Sequence, residues 1–185
     1  MANENAVTGK IQTLTHPEIQ RIGTAIEAAV AGMSAEQLAW APQGKWSAAN
    51  ILEHLAITYG GTARVMRKVA QNGTSLASRP TAYQRVATFL VTGIGFLPGG
   101  RKAPVMTVPT GMDADTALAT VRKNLAEMDE AFALVSGVGK GKIADHPVLG
   151  ALTLAQWKKF HWVHTRHHMK QIAALREQLR VASSE

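Results

Sequence analysis

Residues 161–168 read His161-Trp162-Val163-His164-Thr165-Arg166-His167-His168, four of the chain's seven histidines in eight positions. They sit inside a segment that reads as one long amphipathic helix. Thr153 and Gln156 form a capping box ahead of it, and its pattern runs to about Leu179. Leu154, Trp157, His161, His164, His168, Gln171, Leu175 and Leu179 fall within roughly 100° around the axis, so the histidines occupy the middle of an otherwise apolar face.

Working back from there, Asp113 or Asp115 caps a helix whose apolar positions Leu118, Val121, Leu125, Met128, Phe132 and Val135 keep the three- and four-residue spacing. Ser47 caps another, carrying Ile51, Leu52, Leu55 and Ile57 towards Ala70, with Gly60-Gly61 as a candidate kink. Thr15-His16-Pro17-Glu18 predicts a capping box at the start of a first helix ending near Gly32. A further helix is expected from Thr81 to about Phe96, weakened by Gly93 and Gly95. The prolines and glycines from Leu97 to Met112 predict a long loop, and Gly137 to Gly150 a glycine-rich connection. No segment alternates apolar and polar residues for long, which makes an all-α bundle the economical fold.

With 185 residues, 46% of them hydrophobic, the chain suits one domain, expected over 10–180, with 1–9 and 181–185 as flexible termini. There is no cysteine, so any metal must be held by nitrogen or oxygen. The opening residues lack a secretory pattern, and the most apolar stretch, Val86 to Pro98, is far short of the roughly 20 residues a spanning helix needs. A cytoplasmic protein with no membrane partner is the expectation. Net charge is +7, and the region from His54 to Met112 carries Arg64, Arg67, Lys68, Arg79, Arg85, Arg101 and Lys102 with no Asp or Glu. Such a surface either attracts a small anion, with Arg101 and Lys102 in the loop as the candidate contacts, or is a solvated basic face. No motif accompanies it that would read nucleic acid.

Positions four apart on a helix aim at one point, so His164 and His168 can share a metal ion, and His161 can replace His168 as the partner of His164. His54, among apolar neighbours on another helix, is the best third ligand. Three histidines with a position left for water describe a catalytic site, in which the ion lowers the pKa of bound water towards about 7. Taken singly, His54 also fits a hydrogen-bonded core residue. His167 points to the side of the stripe, while His16 and His146 precede prolines and read as structural. Glu53 faces away from His54 and is given no catalytic role. Trp157 shares the stripe and is expected to wall the pocket.

Lys45-Trp46-Ser47-Ala48-Ala49-Asn50-Ile51-Leu52-Glu53-His54-Leu55 resembles the W-S-…-H-L helix of the DinB/YfiT-like superfamily. His164-Thr165-Arg166-His167-His168-Met169-Lys170-Gln171-Ile172 resembles its H-x-x-H-H-x-x-Q-I helix, and the lead-in from His146 to Gly150 resembles an uncharacterised branch. The resemblance implies a four-helix bundle of up-down-down-up topology with a long crossover. It implies a divalent metal, zinc or nickel, on His54, His164 and His168, with the match of His168 and Gln171 selecting His168 over His161. His161, Gln171 and Trp157 then stand around the ligands. The implied function is a metal-dependent enzyme, hydrolase or thiol S-transferase in type, activating water or a low-molecular-weight thiol for a small, anionic substrate. The alternative is a non-catalytic, damage- or stress-responsive metal-binding protein. The oligomeric state is left open, a homodimer included. A three-imidazole set alone suits zinc, nickel, copper and iron.

Overall fold

A computed structural model of the chain describes residues 14–100 and 102–182. It is mainly helical, with one small sheet. In chain order the elements are α1 (Pro17–Val30), α2 (Ala35–Ala39), α3 (Ala48–Asn72), α4 (Ala82–Thr88), α5 (Ala114–Leu134), β1 (Lys142–His146), β2 (Gly150–Thr153) and α6 (Leu154–Ala182). No described helix is long and apolar enough to cross a membrane. The expected flexible segment 1–9 lies outside the described residues, as do 183–185, whereas α6 continues through 181 and 182.

Local chemistry starts most of these helices where the sequence places the starts. Ser47 accepts the N–H of Asn50 at 3.1 Å while Asn50 accepts that of Ser47, a reciprocal cap that satisfies two otherwise orphaned donors. Thr81 with Gln84, and Thr153 with Gln156, do the same, and Asp113 caps α5 through Thr116 N–H. The expected Thr15 capping box does not form. Its hydroxyl and N–H, together with the N–H and Nδ1 of His16, go instead to the Asp129 carboxylate on α5, leaving His16 as the residue before α1. Four donors converging on a buried carboxylate outweigh a single cap bond.

α3 runs unbroken past Gly60-Gly61. At Gly60 a Cβ would stand 2.8 Å from Asn124 Nδ2, which donates to Ala56 O, so the glycine lets α5 lie close along α3. Beyond Thr88, α4 loosens into a π-helical turn, Phe89–Ile94, closed by Gly95 in the left-handed conformation at φ 78°. The loop that follows is irregular apart from one 3₁₀ turn, Val105–Thr107.

The helical expectation holds with one addition, β1 and β2, which pair antiparallel with Ala144 opposite Leu152 and His146 opposite Gly150. The strands are too short for alternation to register in sequence. Ile143, Ala144, Ala151 and Leu152 are buried, and His146 Nδ1 closes the turn by accepting the N–H groups of Val148 and Leu149. The hairpin leads straight into α6, which packs along α1 while α3 packs along α5. His54 and, on α6, His161, His164 and His168 are buried in the shared interior.

Candidate metal centre

His54 on α3 and His164 and His168 on α6 are 4%, 9% and 6% exposed, and one ring nitrogen of each lies within 4.8 Å of the other two. His164 Nε2 is 3.1 Å from His54 Nε2 and 3.0 Å from His168 Nε2. Backbone and side-chain carbonyls orient the outer two rings. His54 Nδ1 is 2.7 Å from Thr107 O, and His168 Nδ1 is 2.7 Å from Gln171 Oε1. A carbonyl only accepts, so both Nδ1 atoms carry the proton and both Nε2 atoms present lone pairs.

Those lone pairs both point at His164 Nε2. One proton there can satisfy one contact, and the lone pair of the other ring is then left without a donor. A cation among the three nitrogens satisfies all of them. Nitrogens held about 2.0–2.1 Å from a tetrahedral zinc sit about 3.4 Å apart, close to the spacing observed. The donor set also fits in charge. Burial, followed by the neighbouring rings of His168 and His54, holds His164 well below the usual imidazole range. Burial also lowers the pKa of His54, and pushes that of His168 down to about 3. All three rings are therefore neutral near pH 7, the form that ligates a metal.

The surroundings are aromatic. Trp46 lies 5.1 Å from the His54 ring, and Phe160 stacks on His164 at 5.3 Å and 12°. His161, the alternative partner of His164, is committed elsewhere: its Nε2 is 3.0 Å from Thr62 Oγ1, and burial depresses its pKa to about 3. Trp157 stands against His161, His146 and Phe160, one layer behind the cluster. His167 turns aside towards Gln171 Nε2.

Two further residues fasten the loop beside His54. Thr107 supplies the carbonyl that fixes its tautomer. Glu53, fully buried, accepts the N–H groups of Thr110, Gly111 and Met112 and the Thr110 hydroxyl. Burial alone would raise its pKa, but these donors outweigh it and hold it low. The sequence signal was an acid placed among Ile51, Leu52 and Leu55, followed much later by a Thr-Gly turn rich in free N–H groups. Of the two expected anion contacts, Arg101 lies outside the described residues. Lys102 is exposed in the loop, where the groups that reach the His54 end of α3 are Thr107 and residues 110–112.

No curated protein and no solved structure matches the chain. A family model described as "Protein of unknown function (DUF1569)" matches residues 13–174, which include all the histidines of α3 and α6. The chain therefore belongs to the DUF1569 family.

Proposed function

We propose that the chain is a metal-dependent enzyme in which His54, His164 and His168 hold one divalent ion, zinc or nickel, for hydrolysis or thiol S-transfer. The observation that carries this reading is the convergence of three Nε2 atoms with two tautomers fixed by Thr107 O and Gln171 Oε1. On the same reading α1, α3, α5 and α6 form a four-helix bundle of up-down-down-up topology, DinB/YfiT-like, with the 97–113 loop in the long crossover. Its motif matches in α3 and α6 support that assignment.

When bound, the ion supplies Lewis acidity, lowering the pKa of a water or of a low-molecular-weight thiol. The chain's own residues do the rest. Thr107 and Gln171 orient two of the rings, as carbonyl partners do for metal-bound imidazoles. Trp46 and Phe160 cover the ring faces with apolar surface, which strengthens electrostatic interactions at the site. Glu53 anchors the loop that presents Thr107. Three histidines form the ligand cluster among the described residues, without a fourth side-chain ligand in it, and this favours a site open to substrate over a closed structural one.

Elemental analysis of tag-free protein tests the reading: about one divalent ion per chain is expected in the wild type and none in His54→Ala or His164→Ala. Wild-type protein that binds no zinc or nickel in equilibrium dialysis overturns it. Metal bound without hydrolysis of activated esters or consumption of thiol would select the non-catalytic alternative.

A further inference from the structure

A second site lies on the opposite side of α6. At about 100° per residue, Lys158, Lys159, Trp162 and Arg166 cluster around the side of the helix turned away from His164 and His168. They line an open cavity of about 290 Å³, completed by Arg21 and Glu18 from α1 and by Ile94 and Gly95 at the end of the π-helical turn. Four cations and one carboxylate thus line it. None of the four is within ion-pair distance of an acidic group among the described residues, although Arg67, Arg122 and Arg180 elsewhere all are.

Both guanidinium groups are held in place. Arg21 lies over the Trp162 ring, 3.9 Å from its centroid, and Arg166 Nη2 donates to Gly95 O at 2.8 Å. An arginine carries five N–H donors, so the single bond of Arg166 leaves a directed fork free. Grouping unpaired cations around a concavity raises the local potential and is repulsive unless an anion joins them. Trp162, Ile94 and Val163 add an apolar wall, and the volume lies near the lower end of small-molecule sites, about 300 Å³.

We propose that this cavity binds a small phosphorylated compound. Four positive charges less one negative leave three, which a dianionic phosphoryl group offsets better than a single carboxylate. Planar, oriented guanidinium groups also match phosphoryl oxygens two at a time. The non-phosphate part of the ligand packs on Trp162 and Ile94. This site is independent of the histidine cluster and does not rest on a metal being bound there.

The test is a titration of the full chain with phenyl phosphate, following the indole N–H resonance of Trp162, which Trp162→Phe identifies. A saturable shift is expected, about tenfold tighter than with benzoate, because charge-assisted bonds to the second charge are retained. It should weaken about tenfold or more in the double variant Lys158→Gln, Lys159→Gln, where Lys159 is exposed and Lys158 half-buried. It should persist in His164→Ala. Absence of a Trp162 shift, equal binding of benzoate, or binding unchanged by the lysine substitutions overturns the proposal. So does a shift produced by duplex DNA and not by phenyl phosphate, which would assign the face to nucleic acid.

Discussion

Gln171 is an exposed residue whose carbonyl oxygen fixes the proton of a buried one, His168. Partners of this kind contribute about 10–100-fold to metal affinity. Gln171→Ala should therefore weaken zinc binding by about that factor in competition with a chelator, while Gln171→Glu, which still accepts the Nδ1 proton, should restore it. Equal affinity in Gln171→Ala and wild type would remove the residue from the site. His161 makes a different prediction. It is fully buried and, through burial and then the ring of His146, has a pKa of about 3. The folded state keeps it neutral, whereas the unfolded chain takes up a proton below about pH 6.5. Stability must then fall as the pH drops from about 6.5 towards 3, because the unfolded state binds the extra proton. In metal-free protein, His161→Gln should flatten the dependence of the urea midpoint on pH across that window, and an unchanged slope would refute the assignment.

Between helices, Gly60 and Asn124 set how closely α3 and α5 approach. Gly60→Ala gains about 1 kcal/mol of helix propensity. It also drives a methyl into Asn124 Nδ2 and breaks the bond to Ala56 O, at a cost of about 2 kcal/mol. Net destabilisation of about 1 kcal/mol is expected in chemical denaturation, turning to stabilisation in the Asn124→Ala background, and additive effects would show the two not to be coupled. Elements such as α3, α5 and α6 were legible in the sequence because Ser47, Asp113 and Thr153 act on donors three residues away. The i,i+4 histidines were legible for the same reason. Thr15 was not, because its partner Asp129 is 114 residues distant. The hairpin is not legible because four or five residues cannot establish a period, nor is the π-helical turn, because Gly93 weakens a helix without dictating its replacement. Thr107 and Glu53 belong to the same non-local class: only the fold brings a carbonyl to His54 or a turn to a carboxylate.

For the molecule as a whole, the histidine cluster joins α3 to α6, the second long helix to the last. A ligand bound only by the native state stabilises it by about 2.7 kcal/mol when present at 100 times its Kd. For a chain of this size that corresponds to a rise in Tm of about 5–10 °C. Adding a chelator to zinc-loaded protein should reverse the rise, and His54→Ala should show no response to either; a chelator without effect on the wild type would argue against metal linking the two helices. The Glu53 carboxylate imposes a second kind of connection. Thr110, Gly111 and Met112 lie outside regular structure, yet their amides donate at 2.7, 3.0 and 2.9 Å to a group with no exposure to solvent. Those amide protons can exchange with deuterium only when the loop parts from α3, so this irregular segment should exchange as slowly as the helix that holds it. Glu53→Gln, which keeps the shape but loses one acceptor and the charge, should speed their exchange by about 10–100-fold. The loop that presents Thr107 is thus fastened from beneath by the residue next to the histidine it orients.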